Sequence, residues 1–238
     1  MPIAYSVVIP VKDEENNIGE LIEELEIVMN KQKKEWELIC IEDGSSDNSL
    51  SILSKLKKKK PYLRIVAFEK NFGQSSAFDA GFKHAQGEFI ITLDGDRQND
   101  PKDIPNLLTF SNDYDLVCGW RIHRKDSWSK KIISHLANTV RSKLCQDSVH
   151  DTGCSLKIYR SSCLRKIKLY NGMHRFLPAL FKMEGFRIKE VPVNHRKRLS
   201  GQSKYNLFNR FLSPLTDLFA IIWMRRRTLR YTIKKEIP

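Results

Sequence analysis

The chain has 238 residues, 41% hydrophobic and 29% charged, enough to bury one large core or two small ones and too apolar and mixed for disorder, collagen or a simple coiled coil. Its net charge of +13 is unevenly spread: residues 1–120 hold 14 Lys+Arg against 21 Asp+Glu, a net of −7, whereas residues 121–238 hold 27 against 7, a net of +20. Five cysteines, at positions 40, 118, 145, 154 and 163, show no CxxC spacing, so neither a disulfide scaffold nor a zinc site is expected and a reducing cytosol fits. The opening MPIAYSVVIPVKDEE lacks the basic start and long apolar run of a signal peptide, so export is not expected.

In chain order, YSVVIPV (5–11) is a β-branched run that predicts a strand. Ile18, Leu21, Ile22, Leu25, Val28 and Met29 recur at helical spacing with glutamates between them, predicting an amphipathic helix. WELICI (36–41) predicts a second strand, Asp47 an N-cap, and Leu50, Leu53 and Leu56 a helix ended by the lysine run 57–60 and Pro61. A third strand is expected at 63–68, a small-residue helix at 74–86 closed by Gly87, a fourth strand at 89–93 and a fifth at 116–119. Strands alternating with helices at this spacing predict a mainly parallel sheet with crossover helices. Beyond residue 120 the spacing predicts a basic helix at 128–144 and strands at 156–159 and 186–193, with mixed pairing in the sheet.

The apolar stretch 207–224 has the length of a membrane span, but Asn209, Arg210, Pro214 and Asp217 interrupt it. Phe208, Phe211, Leu212, Leu215, Leu218, Phe219, Ile222 and Trp223 suit an apolar face, and Arg225, Arg226 and Arg227 suit anionic headgroups. Two readings stand side by side: an in-plane interfacial helix, or a helix docked on the body or on a second copy.

Ligands of parallel sheets gather at the carboxyl ends of the strands. There the sequence places Pro10, Val11, Lys12, Asp13 and Glu14, then Glu42, Asp43, Gly44, Ser45 and Ser46, then Asp94, Asp96 and Gln98. So many carboxylates along one edge repel one another unless a cation or hydrogen-bond donors hold them. In FIITLDGDRQNDP, carboxylates at i and i+2 after a hydrophobic strand can share a hard cation, Mg2+ or Mn2+, that leaves positions for phosphate oxygens; the plainer reading of DGD is a surface turn. Neither GxGxxG after the first strand nor GxxxxGK[ST] is present. A nucleotide held here would be gripped by acidic side chains on base and ribose and by metal on its diphosphate, which points to a nucleotide-sugar donor.

The blocks SVVIPVKDEENNI, IEDGSSDNS, DGDRQ, DTGCSLKIYR and RLSGQSKY stand in the order found in family-two glycosyltransferases, and the chain resembles the polyprenyl-phosphate, dolichol-phosphate mannose synthase-like branch of that family. The resemblance implies an α/β GT-A fold: a mixed, mainly parallel sheet, Rossmann-like in its nucleotide-binding half, flanked by helices. Residues 1–205 would be the transferase domain, with 1–120 the nucleotide-sugar and metal half and 121–205 the acceptor half; 206–238 would be an amphipathic membrane-interface or oligomerisation segment.

By position, the resemblance implies that Pro10, Glu14 and Asp43 line the base and ribose pocket with Glu42 beside them, and that Asp94, Asp96 and Gln98 hold Mg2+ or Mn2+ on the donor diphosphate. Arg121 in GWRIHR would stand near the transferred phosphate or sugar, and Arg198, Ser203 and Lys204 of RLSGQSKY would close over the diphosphate and acceptor phosphate, with Gly201 permitting close backbone approach. The implied catalytic set is Asp96, Arg121, Arg198 and Lys204. The chain departs from the family in having Lys12-Asp13 where Tyr-Asn is usual and Glu42-Asp43 where two aspartates are usual. Asp151-Thr152-Gly153 resembles an acceptor-side segment, with a capped turn as the equal alternative, and the six histidines are expected to be structural or exposed.

The implied reaction is inverting, metal-dependent transfer of a sugar from a nucleotide-diphosphate sugar to a polyprenyl phosphate, by an enzyme peripheral at the cytoplasmic face of the membrane, either monomeric or homo-oligomeric. HRKRLSGQSKY looks closer to relatives that use UDP-sugars than to those that use GDP-mannose, the alternative donor. A phosphate acceptor, largely dianionic at neutral pH, needs no general base, and the +20 half offsets repulsion between two anionic substrates. A basic nucleic-acid-binding protein without catalysis is the reading from another class; no RRM, KH, zinc or helix-turn-helix signature supports it, so no nucleic-acid partner is expected. A catalytically silent scaffold is opposed by intact Asp94, Asp96, Arg198 and Lys204.

Overall fold

The computed structural model describes residues 2–122, 149–197, 209–229, 231–232 and 234–235. Seven strands form one sheet: β1 (Tyr5–Val11), β2 (Trp36–Glu42), β3 (Leu63–Ala67), β4 (Phe89–Thr92), β5 (Leu116–Arg121), β6 (Lys157–Arg160) and β7 (Ile188–Val193). The helices are α1 (Ile18–Asn30), α2 (Ser49–Lys57), α3 (Gln74–His84), α4 (Ile104–Leu108), α5 (Ser161–Leu164), α6 (Leu177–Met183) and α7 (Asn209–Arg227), with 3-10 turns at Pro101–Asp103 and Met173–Phe176. The strand order is β3-β2-β1-β4-β6-β5-β7, parallel except for β6, which runs antiparallel to both of its neighbours. The expected mixed, mainly parallel sheet with flanking helices is present.

The central strands are buried on both faces, as their unbroken apolar runs require. Alternation sends Val7, Ile9 and Val11 into a core with the apolar face of α1, while Val8, Ile39 and Ile41 meet Phe78 and Phe82 of α3 on the other side. Gly81 lets α3 lie close on β1, since a Cβ there would fall 2.2 Å from Val8 Cγ1. Two local expectations shift. The residue at the N-cap of α2 is Asn48, with Asp47 one place earlier accepting the Ser49 amide at 2.9 Å. Helix α3 ends at an extended Ala85, and Gly87 lies beyond it.

Order 3-2-1-4 places a switch point between β1 and β4, where the chain reverses its direction of travel across the sheet and the loops after the two strands part. Register fixes what meets there: Val8 pairs with Thr92, so Asp94, two residues further on, comes level with Pro10. Because β6 is reversed, its first residue, Lys157, sits between Thr92 and Cys118, and the segment before it reaches the same edge as the carboxyl ends of β1, β2, β4 and β5.

Helix α7 docks on the body: Leu218 and Ile221 share a cluster with Met173, Phe176, Ala179 and Leu180. Its other face leaves Phe219 69% and Trp223 63% exposed. No helix among the described residues is long and apolar enough to cross a membrane. The basic helix expected at 128–144 lies outside the described residues.

Candidate active site

The loops after β1 and β2 are knitted by short polar side chains. Asp13, at φ +50°, accepts the Ser46 amide at 2.7 Å while its own amide donates to Ser45 Oγ at 3.0 Å. The Glu14 amide donates to Ser49 Oγ at 2.8 Å, and Glu14 Oε2 accepts from Asn17 Nδ2 at 2.7 Å. Lys12 Nζ reaches Gly44 O at 2.6 Å and Asp13 at 3.3 Å, so the departure at Lys12 is absorbed as a tie between the two loops. Glu42, buried, accepts the Ser45 amide.

Asp43 anchors a third segment. Its carboxylate accepts the backbone amides of Phe72 at 2.7 Å and Gly73 at 3.0 Å, fastening the approach to α3 onto the end of β2. Gly44 makes this closeness possible: it adopts φ +62°, and a Cβ would lie 2.5 Å from the Lys70 carbonyl carbon.

Asp94 and Asp96 form the floor between β1 and β4. The Asp94 amide donates to Ser155 Oγ at 3.1 Å, and Asp94 Oδ1 accepts from Gln74 Nε2 at 2.8 Å. Asp94 keeps some accessible surface, yet desolvation by the surrounding protein, and then the Asp96 carboxylate, raise its pKa. Asp96 is 7% exposed and accepts the Gln98 amide at 3.1 Å. Gly95 packs against Pro10 O and Glu14 Cγ, its Cβ position 3.3 and 3.4 Å away, so the turn leans on the loop after β1.

Across this floor stands Arg121, the last residue of β5, gripped by Asp151 with Nε–Oδ2 2.7 Å and Nη2–Oδ1 2.8 Å. Burial alone would lower the guanidinium pKa; Asp151 outweighs it and raises it. Arg121 and buried Lys157, whose Nζ caps Thr152 O at 3.2 Å, are also within electrostatic reach of Asp94. One edge therefore holds a pair of mutually repelling carboxylates, the acidic side chains of Glu14, Glu42 and Asp43 to one side and fixed cations to the other.

Among the described residues no group of three or more His, Cys, Asp or Glu side chains is assembled to hold a metal. Two carboxylates nonetheless fit Mg2+ or Mn2+, which are often held by one or two carboxylates together with substrate phosphates. The raised pKa of Asp94 marks a charge that a cation would relieve.

Residues 6–168 match the family described as glycosyl transferase family 2. The chain belongs to that family. It is 40% identical over 234 residues, 96% of this chain and 69% of the relative, to a dodecaprenyl-phosphate galacturonate synthase of Rhizobium johnstonii. It is 38% identical over 216 residues, 90% of this chain and 66% of the relative, to an undecaprenyl-phosphate 4-deoxy-4-formamido-L-arabinose transferase of Edwardsiella ictaluri. The chain thus spans about two thirds of the length of these curated relatives. Among solved structures it resembles glucosyl-3-phosphoglycerate synthase of Mycobacterium tuberculosis in complex with Mn2+, UDP and glucosyl-3-phosphoglycerate, with TM-score 0.71 and 16% identity over 96% of this chain and 81% of that one. It also resembles the S. aureus TarS 1–349 fragment in complex with UDP-GlcNAc, with TM-score 0.60 and 20% identity over 94% of this chain and 66% of that one. At these identities the structural likeness speaks to the GT-A fold alone.

Within this family-two domain, Pro10, Glu14, Glu42, Asp43, Asp94, Asp96, Gln98 and Arg121 come to one sheet edge. Arg198, Gly201, Ser203 and Lys204 lie outside the described residues. Sequence reasoning missed Gln74 and Ser155, the two partners of Asp94, whose small polar side chains carry no periodic signal. Asp151 is the partner of Arg121 rather than only a turn residue. His174 is half-buried, its Nδ1 2.6 Å from Ser75 Oγ, and His195 lies in a bridge with Asn99, its Nδ1 2.9 Å from Arg196 O.

Proposed function

We propose that this domain transfers a sugar from a nucleotide-diphosphate sugar, UDP-linked by preference, to a polyprenyl phosphate with inversion, at the cytoplasmic membrane surface. The observation that carries the reading is the floor between β1 and β4, where Asp94 and Asp96 stand together facing the Arg121–Asp151 clamp. In this reading Pro10, Glu14, Glu42 and Asp43 shape the base and ribose pocket, with Asp43 already fixed by two backbone amides. Asp94, Asp96 and Gln98 would hold Mg2+ or Mn2+, which supplies electrostatic stabilisation of the charge on the departing diphosphate. Arg121 contributes a fixed positive charge on the acceptor side, its orientation set by Asp151, and it needs no reorganisation when anionic groups arrive. Arg198, Ser203 and Lys204 complete the anion-binding set.

A phosphate acceptor attacks as a largely dianionic nucleophile, so no side chain has to remove a proton. The polyprenyl-phosphate relatives support this acceptor class. Membrane contact is assigned to α7 and the residues after it, where Phe219, Trp223, Leu229 and Tyr231 are exposed beside Arg225, Arg226 and Arg227. The preference for UDP rests on the form of HRKRLSGQSKY; a GDP-mannose donor is the alternative.

Calorimetric titration with UDP and with GDP, each with and without Mn2+, tests the donor site. Binding of one nucleotide that Mn2+ strengthens, with the strengthening lost in Asp96→Ala and the fold retained by circular dichroism, is the expected result. Binding that Mn2+ does not strengthen, or full Mn2+ strengthening in Asp96→Ala, sinks the assignment.

A further inference from the structure

The turn that presents Asp96 and Gln98 is built around a residue in an unfavourable conformation. Arg97 has φ +60°, in the left-handed region that L side chains avoid, and something must hold it there. Its guanidinium reaches back to α1, with Nη2 2.6 Å from Glu24 Oε1 and Nη1 on Glu20.

The same Glu24 carboxylate is claimed from a second direction. Arg196 Nη1 lies 2.6 Å from Glu24 Oε2, and Arg196 Nη2 lies 2.6 Å from Asp100 Oδ1. Arg196 also donates its backbone amide to Gln98 O at 2.9 Å, and its neighbour His195 bridges to Asn99. Asn194 completes the seam, its amide 2.8 Å from Asp103 Oδ2. Both oxygens of one carboxylate therefore carry an arginine each, one from inside the 96–100 turn and one from the strand end laid along it. The two arginines outweigh partial burial and hold the Glu24 pKa below its ordinary value.

From this convergence we infer that Glu24 is a positioning residue for the cation-binding turn: through Arg97 and Arg196 it fixes the backbone that presents Asp96 and Gln98 and locks the segment 194–196 to it. Glu24 touches none of the proposed reacting groups. It sits on α1 and acts through two intermediaries, as outer-shell partners of metal ligands do. The inference rests on the donor-site reading above and assigns that site a third layer of support.

The test is calorimetric titration of Mn2+ into protein saturated with UDP or GDP, whichever the parent chain binds, together with metal-free nucleotide affinity and thermal unfolding. Loss of an outer-shell partner typically weakens metal affinity by about 10-fold or more, and Glu24→Ala is expected to do so. Metal-free nucleotide affinity should stay at the parent value, since the Asp43 pocket is built on other contacts. Glu24→Gln, which keeps one acceptor oxygen, should fall between parent and alanine variant. A purely structural role would instead lower unfolding temperature and metal-free affinity together, and that outcome overturns the inference. So does an unchanged Mn2+ midpoint in folded Glu24→Ala. Should that variant fail to fold, Arg196→Met removes one of the two arms, and an unchanged midpoint there overturns the inference equally. A parent chain with no Mn2+ dependence at all overturns the donor-site reading beneath it, a distinguishable failure.

Discussion

Arg121 and Asp151 meet in a two-point ion pair 30 residues apart in sequence, and the Arg121 amide donates to the same Asp151 Oδ2 at 3.2 Å. Their side chains are only 15% and 5% exposed, so neither charge has water to fall back on. Removing one partner of such a pair typically costs about 3 kcal/mol or more, whereas replacing both with apolar groups of similar volume is often near neutral. Asp151→Ala should lose about 3 kcal/mol in urea unfolding, and Arg121→Met/Asp151→Leu should recover most of it. A full additive loss in the double variant would show that the two residues act separately.

Gly44 is the pivot between the Asp43 carboxylate and the segment leading to α3. Gly44→Ala places a methyl 2.5 Å from the Lys70 backbone at a φ of +62°. The left-handed conformation alone costs about 1–2 kcal/mol, and relieving the clash moves residues 70–73. Stability should fall by about 2 kcal/mol or more, and metal-free nucleotide affinity should fall with it, because Phe72 and Gly73 can no longer both reach Asp43.

His174 titrates far from its usual range. Burial, and then the nearby cations Arg175 and Lys157, push its pKa down to about 3 from 6.5. Ser75 Oγ, which accepts the Gly172 amide at 3.0 Å, lies 2.6 Å from Nδ1 of the neutral ring and gives it a hydrogen-bonding partner. A depressed histidine pKa means that the neutral form is favoured by folding. The contribution is therefore fully present above pH 6.5 and is lost progressively as pH falls from there towards 3. Unfolding free energy should decline over that window by an amount on the order of 4 kcal/mol attributable to His174, and His174→Gln should flatten the decline. An unchanged slope would rule the histidine out as the source.

The two faces of α7 should separate cleanly by mutation. Leu218 and Ile221 are buried on the 173–180 region, so Leu218→Ala and Ile221→Ala should each cost about 2–4 kcal/mol. Phe219 and Trp223 are largely exposed, so Phe219→Ser/Trp223→Ser should leave stability within about 0.5 kcal/mol. The same pair should weaken co-sedimentation with anionic lipid vesicles several-fold if this face meets the membrane. Equal co-sedimentation would remove α7 from the membrane contact.

The strands of the first half were legible because each is a single apolar run between turn signals, and α1 because its apolar residues keep one strict face. Capping was legible only to within a residue: Asn48 holds the N-cap place but its side chain makes no capping bond, its two amides going to Glu15 at 3.0 and 2.8 Å, while the preceding Asp47 accepts the Ser49 amide at 2.9 Å. The acidic residues of the candidate site were visible as residues left over after the strands ended. Their partners were not. Gln74 lies 20 and Ser155 61 residues from Asp94, Phe72 lies 29 from Asp43, and no local pattern records a hydrogen bond over such distances. The docking of α7 was undecidable for a related reason: its apolar residues serve both a buried and an exposed face, and only the position of Met173 and Phe176 tells which is which.

The reversed strand β6 places a cross-link at the edge of the sheet. Lys157, its first residue, pairs with Thr92 on one side and Cys118 on the other, so β6 runs between the strand that leads to the carboxylate floor and the strand that ends in Arg121. The Arg121–Asp151 pair then clasps the end of β5 to the approach to β6 through side chains that belong to the sheet's own strands and their flanks. The floor and the clamp are thereby tied to one hydrogen-bonded unit, and a displacement of β6 would move both together.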